Sequence, residues 1–353
     1  MNKKVAIILG NIGDYAKKYS PELLPSLRTQ NCIYEIKIFI YDNATSEEST
    51  RYLKEIVPEA EIIRNKDNDG FAKGNNDVIK KALEQGFDYI ALFNMDTVLE
   101  QDCLRKMVEA IESEKKIGAV QARLMLYENK NKINSLGNIT HFLGFGYSDG
   151  YGEEYKSPQP PLLKGVEICY PSGAAVLFKR EALEKVGLFD EEFWMYNEDQ
   201  DLGWRIWLAG FKCVLAPEAV VYHKYEFSRS IKKYYWMDRN RIIAILKNYR
   251  LATLILIFPA FLVMEIGLIF FAVSGGWFKE KINVYKYFLS LKNWRYILEA
   301  REQTQKLRRV KDRDIIKLFS GRIWYQEIGD ARLRVANVVF GTYWRIIRVL
   351  IKW

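Results

Sequence analysis

Through residues 1–120 the chain alternates short apolar runs with longer segments of helical periodicity. Within Lys4–Leu9, Val5-Ala6-Ile7-Ile8-Leu9 is uninterrupted by polar residues and stops at Gly10-Asn11, which predicts a buried first strand. Pro21–Arg28 starts a helix. Glu35–Tyr41 predicts a strand ending at Asp42-Asn43, followed by a helix over Glu47–Val57 with Thr45 or Ser46 as its cap. Ala60–Arg64 reads as a short strand, Asn75–Gln85 as a helix and Tyr89–Phe93 as the next strand. Strands alternating with helices imply an α/β fold around a mostly parallel central sheet. Beyond it, Gly118–Met125 and Val214–Val221 carry strand patterns, and Glu181–Val186 and Asp199–Ala209 helical ones. Residues 130–165 are polar and rich in Gly and aromatics, a pattern of loops and small strands.

Residues 251–277 change character, with one charge, Glu265, in the whole block. That length satisfies the criterion for a membrane helix. Pro259 and Glu265 argue against a simple span, so the block is expected to form a re-entrant or interfacial helical hairpin. In Val335–Trp353, Val338, Val339, Trp344, Ile347, Leu350 and Ile351 can share one broad apolar side, while Arg345, Arg348 and Lys352 reach lipid headgroups. The same aromatic helix would also suit a contact in a homo-oligomer.

Charge sharpens this picture. From Lys279 onward 18 Lys and Arg stand against 7 Asp and Glu, so the tail carries +11 of a chain whose total is +9. A single span would carry this basic tail away from a cytoplasmic catalytic part, against the positive-inside tendency. The expected location is therefore the cytoplasmic face of the cell membrane. The four cysteines, at 32, 103, 169 and 213, show neither metal nor redox spacing and fit a reducing compartment. The first apolar run ends too early for the core of a signal peptide. Three segments follow: a catalytic domain over 1–245, a hydrophobic membrane-associated helix or hairpin over 246–278, and a basic amphipathic helical region over 279–353.

The candidate chemistry sits at strand ends. The Tyr89–Phe93 strand stops at Asn94 and Asp96, two residues apart and so on one face. In an open α/β sheet that end is where ligands bind, and a carboxylate there can hold a divalent metal against a diphosphate. Asp42 and Asn43 end another strand. Asn68 to Asn76 is a Gly-rich loop opening a helix, with Gly70 and Gly74 able to take unusual dihedrals or allow close approach. Glu198, Asp199 and Asp201 lie at a helix start, where acids suit the helix dipole. His223 ends the Val220-Val221-Tyr222 run; imidazole suits Mn²⁺ moderately and Mg²⁺ less well.

Together Tyr41–Thr45, Asn68–Asn76, Asn94–Thr97, Ser172–Ala175, Gly187–Glu191 and Glu198–Leu202 with Arg205 resemble family 2 glycosyltransferases of the GT-A fold, particularly the rhamnosyltransferase-like branch. The resemblance covers residues 4–250. It implies an inverting, metal-dependent hexosyltransferase with a dTDP- or UDP-sugar donor, dTDP-L-rhamnose in the first instance, and Mg²⁺ or Mn²⁺. Asp42 would accept from a pyrimidine N3–H. Asn43, Asn68, Gly70, Phe71, Gly74, Asn75 and Asn94 would line the donor. Asp96 and His223 would hold the metal. Asp199 would be the base, with Glu198 orienting the acceptor. Ser172 and Gly173 would leave room for a sugar, and Trp194, Tyr196 and Asp201 would contact substrate, although Asp201 is also spaced to pair with Arg205. Trp204 and Trp207 are expected in the core. Arg229 and Lys232 could meet a diphosphate, and His141 has no assigned role. The acceptor implied is a lipid-linked or growing cell-surface glycan.

Two other readings accompany this one. A processive polysaccharide synthase would carry several spans and a Gln-x-x-Arg-Trp motif, which is absent. A non-catalytic membrane scaffold would have lost its acids, yet Asp42, Asp96 and Asp199 remain. Nucleic acid is a poor partner, because the basic charge follows an apolar block.

Overall fold

A computed structural model describes residues 3–31, 34–156, 165–225, 231–324 and 331–353. In chain order the first half contains β1 (Lys4–Asn11), α1 (Tyr15–Arg28), β2 (Glu35–Asn43), α2 (Glu47–Ile56), β3 (Glu61–Asn65), α3 (Gly70–Glu84), β4 (Tyr89–Phe93), β5 (Thr97–Leu99), α4 (Cys103–Glu112) and β6 (Ile117–Leu126). Then come β7 (Ile133–Ser135), β8 (Asn138–Thr140), β9 (Gly146–Ser148), β10 (Val166–Glu167), β11 (Ala175–Lys179), α5 (Arg180–Val186), α6 (Glu198–Leu208) and β12 (Lys212–His223). Helices follow: α7 (Lys232–Asn248), α8 (Leu251–Ser274), α9 (Phe278–Phe288), α10 (Leu291–Leu307), α11 (Asp312–Ile315) and α12 (Ala331–Leu350).

The main sheet runs β10-β12-β6-β11-β4-β1-β2-β3, with β5 on β12 and β7 on β6. Period-2 geometry sorts β1 between two cores: Val5, Ile7 and Leu9 face the core shared with α1, α2 and α4, while Ala6 and Ile8 face that shared with α3, α5 and α6. The sheet is mixed, not mostly parallel. β1, β2, β3 and β4 pair in parallel, as do β6 and β12, but β11 runs antiparallel to both β4 and β6. The excursion through β7–β10 brings the chain back to the end of the sheet where β6 left it, so β11 runs in the reverse direction.

Two helices begin earlier than their patterns predict. α1 starts at Tyr15 and contains Pro21 and Pro25, and α3 starts at Gly70. Gly70 has φ +77, a left-handed conformation that glycine tolerates.

The expected hairpin over 251–277 is instead one 24-residue helix, α8, continuous across Pro259. It has the length and apolarity of a membrane helix, yet one side is packed. Thr253, Ile257, Ala260, Met264 and Glu265 are buried, whereas Leu251, Ile255, Phe258, Val263, Ile266 and Phe270 are exposed. Glu265 explains its own presence in this helix. It is ion-paired with Arg241 of α7 and, at 2.6 Å, with Lys281 of α9, and both bases also meet Asp238. The network joins the three segments drawn from the sequence. α12 is likewise two-sided. Trp344 and Ile347 are buried beside Ile351, but Val338, Val339 and Leu350 face outward, so these residues do not share one side. Cys103, Cys169 and Cys213 are buried free thiols; Cys32 lies outside the described residues.

Candidate active site

Three register relations assemble the site. β11 begins opposite the end of β4, Ala175 pairing with Phe93, and the Asn94 N–H donates to the Ala174 carbonyl at 3.0 Å. Ser172-Gly173-Ala174 therefore crosses directly beside Asn94 and Asp96. β5 pairs with the end of β12, Thr97 opposite His223, which brings His223 to Asp96. At the other side the Gly173 N–H reaches Asp199 Oδ2 at 3.5 Å. The start of β11 thus touches both the Asp96 corner and the acidic start of α6.

At the Asp96 corner, His223 Nε2 stands 3.2 Å from Asp96 Oδ1, a buried oxygen that accepts no hydrogen bond among the described residues. His223 Nδ1 lies 2.9 Å from Asn134 Oδ1, which holds the ring with Nε2 directed at Asp96. Imidazole plus carboxylate oxygen is a donor set that fits Mn²⁺ or Mg²⁺. Among the described residues no group of three or more His, Cys, Asp or Glu gathers as a complete cage, so substrate oxygens and water would complete the coordination.

At the acidic corner, Asp199 Oδ1 accepts from the Gln200 N–H at 2.8 Å. Burial lifts the Asp199 carboxyl to about 6. Glu198 is more deeply buried, its Oε2 without a partner among the described residues, and burial together with the Asp199 charge holds its carboxyl well above the usual range. Both line a cleft of about 270 Å³ with Ser172, Tyr147, Tyr170 and Tyr196. Adjacent carboxyls driven upward to different degrees give one ionised oxygen acceptor beside one protonated donor at neutral pH.

The approach to these acids is strained. Trp194, Tyr196 and Asn197 all have positive φ, between 57 and 68. Asn240 of α7 braces the loop, its side-chain amide donating to the Phe193, Met195 and Tyr196 carbonyls at 2.7–2.9 Å. Gln200 bonds Asn197 and Thr140 and holds the start of α6.

Several sequence expectations do not fit the geometry. Asp42 is fully buried, accepting from Thr45 at 2.6 Å, Thr50 at 2.5 Å and Asn11 at 3.2 Å, which leaves no open face for a nucleobase. Asn43 bonds Asn65, Asn68 and Gly70, and Asn75 bonds Tyr41 and Phe71, so both amides hold the turn rather than a ligand. A Cβ on Gly74 would lie 2.6 Å from the Tyr41 ring, and one on Gly173 would lie 2.7 Å from the Phe71 ring. These glycines admit protein rings, not a sugar. Trp194 is stacked on Trp236 at 4.8 Å, and its carbonyl accepts from the Phe71 and Ala72 N–H groups. Asp201 is fully buried. Burial alone would raise it, but Lys247 and Arg205 outweigh that and hold it at about 2, with Asn248 as third partner. It has no room for substrate.

Trp204 packs edge-on to Tyr249 and Phe319, and Trp207 bonds the Ile168 carbonyl. His141 is buried, which pushes its imidazole down to about 3. Lys232 is exposed at the start of α7, and Arg229 lies outside the described residues. Of the cleft tyrosines the sequence named Tyr196 alone; it missed Tyr147, Tyr151 and Tyr170, as well as Asn134 and Asn240. Aromatic density in 130–165 was the one available signal for Tyr147 and Tyr151.

Comparison with known proteins agrees with this frame. Poly-beta-1,6-N-acetyl-D-glucosamine synthase of Staphylococcus aureus is 29% identical over 190 residues, covering 53% of this chain and 42% of that protein. The Staphylococcus epidermidis synthase of the same name is 30% identical over 153 residues, covering 43% of this chain and 34% of that protein. The chain thus spans less than half the length of these curated relatives. Among solved structures, GalNAc-T7 with UDP, GalNAc and Mn²⁺ matches with TM-score 0.55 at 14% identity, over 69% of this chain and 48% of that one. S. aureus TarS 1-349 matches with TM-score 0.52 at 15% identity, over 98% and 90%. These likenesses establish the GT-A-like fold. A model described as glycosyl transferase family 2 matches residues 15–187, the stretch that carries β2 to β11 and Asp96.

Proposed function

We propose that the chain transfers a sugar from a nucleoside diphosphate donor to an acceptor hydroxyl, with inversion at the anomeric carbon. The observation that carries this is the start of β11, which touches Asn94 through Ala174 and Asp199 through Gly173 and so sets an electrophile site beside a raised carboxylate. Asp199, at about 6, is ionised at neutral pH and takes the acceptor proton. The freed oxygen bonds to the anomeric carbon as its bond to the diphosphate breaks. Protonated Glu198 donates to and orients the acceptor. Asp96 and His223 would hold a divalent cation, which would neutralise charge on the leaving diphosphate. Tyr147, Tyr170 and Tyr196 offer ring faces to a sugar in the cleft.

The relatives bear on the donor. The curated ones are synthases of an N-acetylglucosamine polymer, and the GalNAc-T7 structure holds UDP and GalNAc. They support a UDP-N-acetylhexosamine over the dTDP-L-rhamnose expected from the sequence. The synthase similarity also favours a second reading, repeated addition to a growing polysaccharide. The half-exposed apolar helix α8 supports work at a membrane face.

The test is nucleoside diphosphate release from UDP- and dTDP-sugars, with Mn²⁺, Mg²⁺ or EDTA. Release from a UDP-N-acetylhexosamine, abolished by EDTA and by Asp96→Ala, is expected. Neither release nor calorimetric binding of any donor would refute the transferase reading. Release from dTDP-rhamnose alone would restore the earlier donor.

A further inference from the structure

Arg322, Arg345 and Arg348 line a second cavity, of about 260 Å³, where the 319–322 segment lies against α12. Two glycines set the approach. A Cβ at Gly321 would stand 2.6 Å from the Trp344 Cβ and 3.0 Å from the Gly341 Cα; one at Gly341 would stand 3.0 Å from the Arg322 Cγ and Nε. Segment and helix therefore meet at backbone distance, and the Arg322 stem lies across Gly341. Positions 341, 345 and 348 are spaced four and then three apart, which stacks both α12 arginines on the helix face above that crossing. Trp344 is buried in the same wall, and its indole N–H has no hydrogen-bond partner among the described residues.

No Asp or Glu lines this cavity among the described residues. Among the described residues Arg345 reaches only neutral acceptors, the Gly341 carbonyl at 3.3 Å and the Thr342 hydroxyl at 3.2 Å, and the Arg322 guanidinium lies 5.6 Å over the Trp324 ring. Three guanidiniums gathered with no carboxylate among the described residues repel one another. A phosphate group relieves that repulsion best, because guanidinium forks match its oxygens in bidentate fashion.

Two further observations identify what carries the phosphate. The outward sides of α8 and α12 are apolar, with Phe270 69% and Val335 65% exposed and Ile346 and Val349 flanking the arginines. This exposed apolar face is bordered by positive charge, a match for an anionic lipid surface. The cavity also shares a wall with the Asp199 cleft. Tyr147 lines that cleft and donates its hydroxyl to the Arg322 carbonyl at 2.8 Å, and Ser320 bonds Thr140 and Phe142 through its backbone at 3.0 Å.

We propose that the Arg322, Arg345 and Arg348 cavity binds the phosphate or diphosphate of a lipid-anchored acceptor. The lipid tail lies along the exposed faces of α8 and α12, and the attached sugar reaches the tyrosine cleft. This rests on the transferase reading for its purpose, but its test contains no donor. The full chain is sedimented with phosphatidylcholine vesicles, plain, doped with a polyprenyl diphosphate, or doped with phosphatidylglycerol to the same charge. The wild type should bind the polyprenyl diphosphate vesicles at least tenfold more tightly than either other kind, and free inorganic diphosphate should compete that increment away. Arg345→Gln/Arg348→Gln should lose the increment while retaining wild-type binding to plain vesicles, and Arg322→Gln alone should weaken it. Both α12 side chains are exposed, and a melting curve matching the wild type verifies the fold. Equal binding to phosphatidylglycerol vesicles would reduce the cavity to a general anionic patch and overturn the proposal, as would an increment that survives the double substitution. Absence of both donor hydrolysis and donor binding in the wild type would remove the transferase reading and leave the vesicle result standing.

Discussion

Asp199→Asn should abolish transfer and stabilise the protein at the same time, and both effects follow from one burial. The Asp199 carboxyl is held at about 6 against an ordinary 3.8. Its folded value is raised, so ionisation costs the folded state more than the unfolded one. The penalty is absent below pH 4, grows between pH 4 and pH 6, and is complete above that. A shift of this size corresponds to about 3 kcal/mol. Partial solvent access and the neighbouring Glu198 carboxyl reduce this, and a gain of about 1–3 kcal/mol is expected above pH 7. For a chain of this length that raises Tm by about 1–4 °C. Asparagine keeps its oxygen for the Gln200 N–H at 2.8 Å and gives up only the long 3.5 Å contact from the Gly173 N–H, so the local geometry survives. The assay is thermal melting of both proteins from pH 4 to pH 8, beside the pH profile of transfer. Wild-type transfer should rise with pH through about 6 and then level, and the variant should be slower by about 10²–10⁴. A Tm difference that stays flat with pH, or that favours the wild type above pH 7, would refute the burial argument. Stabilisation with transfer intact would leave the burial argument standing and move the base elsewhere.

Two further substitutions test roles that the structure reassigns. Asp42→Asn places an amide against donors from Asn11, Thr45 and Thr50, and should lower stability by about 1–3 kcal/mol in urea titration. Wild-type stability with donor affinity lowered tenfold would instead return Asp42 to the nucleobase. Glu265→Gln leaves Arg241 and Lys281 short of a buried counter-charge and should cost about 3–5 kcal/mol. An unchanged melting temperature would mean that α8 is not anchored through this network.

What was legible in the sequence is what local pattern controls. Strand ends at Asp42, Asn94 and His223, and the start of α6 at Glu198, follow from where apolar runs stop or turn helical, and the structure places all four within a residue of expectation. The direction of β11 was not legible, because it depends on where the long excursion through β7–β10 re-enters the sheet, and no periodicity records that. The same limit explains the glycines. Gly74 and Gly173 read as room for a ligand, yet what fills the space is a ring from another element, Tyr41 in one case and Phe71 in the other. A missing side chain announces a close neighbour without saying which.

Asp42 and Asp96 show why residue type alone could not rank the acids. Both end strands. Asp42 is met by three donors from the chain around it and is satisfied, whereas Asp96 Oδ1 faces the His223 ring and accepts no hydrogen bond among the described residues. The difference lies in the neighbours: Thr45 and Thr50 sit on the turn and helix that follow Asp42, while His223 arrives beside Asp96 only through the pairing of β5 with β12. A satisfied acid supports a fold. Asp96 is the more open of the two, and its one buried oxygen is left for a group from outside the chain. That difference is why the proposed function places its substrates at the Asp96 and His223 corner, with Glu198 and Asp199 across β11.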